Sequence, residues 1–333
     1  MKRLLIAACA AATLPLAALA ADDTGAMKAR YQRPTTIPFP KDNPYTPEKT
    51  ALGKMLFFDT RLSRDRNLSC ASCHNPSFGW EVPFAKAIGA GGKPLGRHAP
   101  TTINQAWSQN LFWDGRAPTL EAQARGPIEA DVEMDLPLAT ALTRLKEVEG
   151  YRQVFARAFP SDGLTETNIL KAIATYERTL VSGITPFDRW VRGDATAISD
   201  AAQRGFVLFN GKAGCSSCHA GWNFTDDKFH DVGLSSGDKG RSVVTKKPED
   251  DFGMKTPGLR EIVARAPYMH DGSLATLEAV MGHYVAGGTA RPTRSPLMKP
   301  LALSGAEVAD VIAFLRTLSS PQSVVAMPNL PAH

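Results

Sequence analysis

Apolar positions in this chain recur mostly at helical spacing, and the segments that carry the pattern begin and end on helix start and stop signals. Thr46-Pro47 is an N-cap and first-turn pair that opens a helix through Leu52, Leu56 and Phe57. Thr165 caps a second, with Ile169, Ile173, Tyr176 and Leu180 on one stripe. Asp200 to Phe209 forms a third that stops at Asn210-Gly211. Leu277, Val280, Met281 and Tyr284 line a fourth, closed by Gly287-Gly288. Ser304-Gly305-Ala306-Glu307 is a capping box, followed by Val308, Val311, Ile312, Leu315 and Leu318. No strand-rich region interrupts these, so the pattern predicts a mainly α protein.

Three stretches break the pattern. Residues 22–46 carry Pro34, Pro38, Pro40 and Pro44 and read as an extended arm. Gly89, Gly91, Gly92 and Gly96 mark a long loop, of the kind that is usually functional or disordered. Gly183 to Gly193, with Pro186, is the expected domain junction. A length of 333 residues predicts about two domains. We place them at 22–185 and 186–333, with the last helix and tail packing back on the first.

Met1-Lys2-Arg3, the apolar run Leu4 to Leu19 and Ala18-Leu19-Ala20 form a secretory signal over residues 1–21. Ile6-Ala7-Ala8-Cys9 resembles a lipoprotein processing site, but too little apolar sequence precedes it. No later run is long enough to span a bilayer, so a soluble periplasmic protein is expected. A net charge of +5, from 38 basic and 33 acidic residues, is mild and diffuse, with no basic tract that predicts nucleic-acid binding.

Cleavage removes one of five cysteines and leaves four, all in two copies of one motif. Cys70-Ala71-Ser72-Cys73-His74 and Cys215-Ser216-Ser217-Cys218-His219 both read C-x-x-C-H, the attachment signature of a c-type haem. The two thiols add across the porphyrin vinyl groups, and the histidine is placed to ligate iron from the proximal side. A redox disulfide leaves both histidines unexplained, a zinc site usually has closer cysteine pairs, and structural disulfides remain open in an oxidising compartment. With the repeat, the fold class is two tandem cytochrome c-like haem domains, mainly α.

Between the motifs lie Phe112-Trp113-Asp114-Gly115-Arg116, then Leu120-Glu121-Ala122-Gln123-Ala124-Arg125-Gly126-Pro127, then Glu133-Met134. Later come Lys255-Thr256-Pro257-Gly258-Leu259-Arg260 and Ala266-Pro267-Tyr268-Met269-His270-Asp271-Gly272. These runs resemble the bacterial diheme cytochrome c peroxidases and their MauG branch, over nearly the whole mature chain. The resemblance implies a peroxide-reducing haem on His74 and an electron-relaying haem on His219, with Trp113 between them. It implies that Gln123 and Glu133 belong to the distal pocket of the peroxide site. The chemistry asks for such a group independently, because a proton must move between the peroxide oxygens before their bond breaks, and a carboxylate in reach can move it.

Two departures set the subtype. Many family members have a blocking histidine where the loop Ala87-Ile88-Gly89-Ala90-Gly91-Gly92 has Ala90, which cannot ligate iron, so an open peroxide site is expected. His98 lies nearby and aligns with a position beside a bound calcium. At the second haem, Tyr284 stands where typical peroxidases have methionine and MauG has tyrosine. A phenolate ligand is hard and anionic and stabilises oxidised iron, suiting that haem to share high-valent oxidising equivalents. Met281, Met269 and His283 are the alternative ligands. Family calcium positions fall on the carbonyls of Arg265 and Pro267 and on His98, a poor ligand for an oxygen-seeking ion.

The expectation is a periplasmic diheme peroxidase that reduces hydrogen peroxide with two covalently bound haem c groups. Its electrons come from a small c-type cytochrome or a cupredoxin, or from residues of a protein substrate in MauG-like chemistry. The rival is a non-catalytic diheme electron carrier, which would have no use for Glu133 or Gln123.

Overall fold

A computed structural model describes residues 24–321 and 324–332. The signal segment, its cleavage site and Cys9 lie outside the described residues. Helix α1 (Pro47–Phe58) starts where Thr46 accepts a hydrogen bond from Lys49 N at 3.1 Å. It is followed by α2 (Leu120–Glu129), α3 (Leu138–Glu147), α4 (Glu149–Ala158) and α5 (Glu166–Arg178). The second half holds α6 (Pro186–Val191), α7 (Asp200–Asn210), α8 (Leu277–Ala286) and α9 (Gly305–Arg316). Among the described residues the only sheet pairs β1 (Phe229–His230) antiparallel with β2 (Met254–Lys255).

Each half has its own apolar core. Leu52, Leu56, Leu145, Tyr151, Phe155, Ile169 and Ile173 pack in the first, and Phe187, Trp190, Phe206, Phe209, Phe224 and Phe314 in the second. The two cores are built the same way. A Cβ on Gly53 would stand 1.9 Å from the Ala172 carbonyl oxygen, and one on Gly205 would stand 1.9 Å from that of Asp310. Helix α1 therefore crosses α5, and α7 crosses α9, at backbone contact that only glycine permits. The repeated motif is accompanied by a repeated helix crossing.

The chain ends cross over. Residues 24–29 are helical rather than extended, and they deliver Tyr31 into the second core. There its ring stacks on Phe224 at 4.9 Å and its hydroxyl donates to Asn210 Oδ1 at 2.7 Å. In the opposite direction, Pro331 lies against Gly150 and its carbonyl accepts from Arg61 Nη1 at 3.0 Å. Helix α9 stays on α7 in its own half, where Arg204 and Asp310 pair at 2.8 Å. Each half is clasped by the terminal segment of the other, which restrains the partition between them.

Candidate active site

The first C-x-x-C-H motif forms a one-turn helix, Cys70–Cys73, on the wall of a cavity of about 580 Å³. His74 lines it, and its Nδ1 meets the Trp80 carbonyl oxygen at 3.2 Å. That contact fixes Nδ1 as the N–H and leaves Nε2 free as a ligand. Burial holds the ring pKa below its ordinary value, so the imidazole is neutral.

Gln123 of α2 and Glu133 of the following loop line the same cavity, with Trp113. Glu133 is placed by its main chain: its carbonyl accepts from Ala90 N at 2.8 Å. The 89–92 loop can come this close because a Cβ on Gly89 would lie 1.9 Å from the Val132 carbonyl oxygen. Burial pushes the Glu133 carboxyl above the usual range, and the Arg116 guanidinium opposes this. Ala90 is buried beneath the loop and does not line the cavity.

The second motif, a 3-10 turn over Cys215–Ser217, opens on a narrower cavity of about 200 Å³. His219 repeats the arrangement of His74, with Nδ1 against the Phe224 carbonyl oxygen at 2.8 Å and a pKa lowered by burial. Tyr284, Met281 and Met269 line this cavity. His283 does not; its Nε2 meets the Val232 carbonyl oxygen at 2.9 Å. Burial raises the Tyr284 phenol pKa.

One wall serves both cavities: His98, Trp113, Lys255, Pro257 and Arg265 line each. Trp113 is buried there, with Nε1 donating to the His98 carbonyl at 2.8 Å and its own carbonyl accepting from Lys255 N at 2.8 Å. Behind it lies a buried ion cluster that the sequence reasoning missed. Glu81 Oε1 accepts from Arg265 Nε at 2.8 Å and from Thr101 N at 2.9 Å, while Oε2 meets His98 Nε2 at 3.1 Å. His98 Nδ1 faces the Phe84 carbonyl oxygen at 3.0 Å, so both ring nitrogens face oxygen atoms. Glu177, on the last turn of α5, was missed as well because it sits among the apolar residues of its helix; it too lines the first cavity.

The four cysteines are free thiols, with Cys73 on the first cavity and Cys215 and Cys218 on the second, so neither disulfides nor one shared zinc site accounts for them. Two histidine-bearing cavities that share one buried tryptophan are the decisive arrangement. Residues 47–196 match the di-haem cytochrome c peroxidase family and residues 202–319 the cytochrome c family. The chain belongs to the di-haem cytochrome c peroxidase and MauG family. It is 48% identical over 330 residues to the methylamine utilization protein MauG of Methylorubrum extorquens, covering 98% of this chain and 94% of that one. It is 35% identical over 306 residues to the cytochrome c551 peroxidase of Pseudomonas aeruginosa, covering 88% of this chain and 84% of that one. A crystal structure of a MauG-like protein associated with microbial copper homeostasis superposes with a TM-score of 0.81 at 33% identity, covering 87% and 95% of the two chains.

As a member of this family the chain is a peroxidase-type oxidoreductase with two c-type haems. The residues present fit those groups: each motif offers a histidine lining its cavity, with Nδ1 held by a backbone carbonyl, and a pair of free thiols whose pKa values burial pushes up, to about 11 for Cys73 and Cys218. Cys218 also lies near Asp226 and His230, all three ligand atoms within 4.8 Å. With Cys218 taken by thioether formation, the other two remain hydrogen-bonded to each other, His230 Nε2 and Asp226 Oδ2 lying 2.8 Å apart.

Proposed function

We propose that the protein is a periplasmic peroxidase that reduces hydrogen peroxide in the His74 cavity, with electrons relayed from the His219 cavity through Trp113. The observation that carries this reading is the asymmetry of the two cavities across their common wall. Glu133 and Gln123 line the first cavity alone, and Tyr284 the second alone. The haems supply the iron that accepts peroxide and the redox equivalents that reduce it.

In this reading His74 holds the first iron, its Nδ1–H contact to Trp80 fixing the ring plane. The Glu133 carboxyl takes a proton from one peroxide oxygen and returns it to the other, and its raised pKa brings it nearer the working pH. The Gln123 amide orients the peroxide by hydrogen bonding. Ala90 offers no ligand atom and lies outside the cavity, which supports a site open without prior reduction. Trp113 carries electrons across the wall, its indole fixed by the His98 carbonyl.

Tyr284 joins His219 in holding the second iron; His283 is turned away, which leaves Met281 and Met269 as the competing ligands. A phenolate from Tyr284 would be an anionic ligand that favours oxidised iron at the second haem. This favours MauG-like chemistry, in which the electrons come from residues of a partner protein. A small c-type cytochrome or cupredoxin is the donor in the other version.

Export through the signal over residues 1–21 and a domain boundary near residue 185 complete the proposal. The His98 side chain offers calcium no oxygen, since its ring nitrogens face the Glu81 carboxylate and the Phe84 carbonyl, so an ion at this position would rest on the Arg265 and Pro267 carbonyls and on a backbone carbonyl or water in place of the His98 ring.

The test is the electronic and EPR spectrum of the diferric protein before and after one equivalent of peroxide. A high-spin signal beside a low-spin one, both changed by peroxide, is the expected result. Two low-spin signals that ignore peroxide until one haem is reduced would refute the open site and the role given to Ala90.

A further inference from the structure

The peroxide-site cavity has a carboxyl that the mechanism above does not use. Glu177 is 5% exposed, and its Oε2 has no hydrogen-bond partner among the described residues. The side chain lines the same cavity as His74, Gln123 and Glu133. Its neighbour Arg178 does not pair with it: that guanidinium is committed to Glu121, through Nη1 to Oε1 at 2.7 Å and Nη2 to Oε2 at 2.9 Å. A buried carboxyl without a partner is costly, and such groups in clefts are found disproportionately at functional sites.

We propose that Glu177 is the proton-supplying acid of the peroxide cavity, acting beside Glu133. The inference rests on the assignment of the His74 cavity as the peroxide site. The stoichiometry calls for such a group. Reduction follows H₂O₂ + 2 e⁻ + 2 H⁺ → 2 H₂O: the O–O bond breaks, two O–H bonds form, the electrons come from the donor through the relay, and both protons come from outside the peroxide. Glu133 can only shuttle a proton that peroxide already carries. Glu177 delivers one of the two that must be added, as a departing oxygen becomes water, and is recharged from solvent through the cavity mouth.

Its charge environment favours the protonated form. Burial is the main cause, pushing the pKa up to about 8; Arg178 opposes the shift and Glu121 adds to it. Cys70 and Tyr176 also feel its charge, and Cys70 loses its own ionisation once it is a thioether.

The experiment compares wild-type holoenzyme with Glu177→Gln and Glu133→Gln, each checked for two haems per chain. Infrared difference spectra of the diferric protein at neutral pH should contain a carboxylic-acid C=O band that shifts in D₂O, is lost in E177Q and survives in E133Q. Turnover of E177Q should fall about 100-fold near neutral pH, and the wild-type decline above pH about 8 should vanish from its profile. A band that survives in E177Q, or an E177Q rate and pH profile equal to wild type, overturns the proposal. If E133Q and E177Q both react with peroxide at the wild-type rate, the peroxide-site assignment itself fails. If only E177Q does, that assignment stands and the Glu177 proposal alone falls. Should E177Q not take up its haems, Glu177→Asp serves instead: it should keep the band at a shifted frequency and move the pH profile, and an unchanged band and profile would overturn the proposal.

Discussion

Replacing Glu133 by glutamine removes a proton carrier while leaving almost everything else in place. The contact that positions residue 133 is made by its main chain, where Ala90 N donates to the Glu133 carbonyl at 2.8 Å, and glutamine keeps that contact. The Gly89 approach to Val132 is likewise a backbone feature. The carboxyl is buried enough to be pushed above its usual pKa, so an uncharged amide of equal size does not cost stability. What is lost is acid–base help, roughly two to four decades in rate, or about 3–5 kcal/mol of barrier. The assay is stopped-flow mixing of diferric protein with excess peroxide, reading the second-order rate constant from haem absorbance. Wild-type and E133Q proteins should show the same haem content and the same resting spectrum, with the rate constant lowered by about 100-fold or more. A rate within about threefold of wild type would remove Glu133 from the proton transfer and with it the reason for placing the carboxyl in the peroxide site.

Other outcomes follow from the same geometry. Tyr284→Phe should change the low-spin EPR signal of the second haem while leaving two haems bound; an unchanged signal would transfer the ligand role to Met281 or Met269. Gly53→Ala or Gly205→Ala should each destabilise the protein by roughly 1–3 kcal/mol, read as a lower thermal midpoint, because a methyl group meets a carbonyl oxygen in a packed helix crossing. Glu81→Gln should alter the spectra and activity of the holoenzyme, since Arg265 and His98 would lose their shared carboxylate; unchanged spectra and activity would remove that cluster from the site. The folded-state pKa of Glu177 is raised from 4.5 to about 8, so the folded form holds a proton that the unfolded form has released. Stability therefore falls as pH rises through that window, and E177Q should flatten this part of a denaturation-versus-pH curve.

Much of this molecule is written in local pattern. The capping residues Thr46, Thr165 and Ser304 each accept a backbone bond at the start of the helix they announce. Cysteine spacing marked both haem cavities, because thioether attachment and iron ligation are demands on neighbours within one turn. The run from Phe112 to Glu133 pointed to residues that share a cavity, although no periodicity in it says so. Fold class and cofactor could thus be read from the amino-acid order alone.

Tertiary structure decided what depends on distant segments meeting. Glu81, His98 and Arg265 are separated by up to 184 positions, and nothing local distinguishes them from solvated charges until the two halves close on them. Glu177 looked like one more residue of an amphipathic helix, and only the packing of α5 against its neighbours buried it without a partner on the cavity that His74 also lines. His283 and Tyr284 are adjacent in sequence, yet Tyr284 lines the second cavity while His283 is engaged by the Val232 carbonyl. A sequence states which groups a chain owns and the local turns they favour. Which charges end up desolvated, paired or facing a common space is set by long-range packing, because the cost of burying a charge depends on every element that surrounds it.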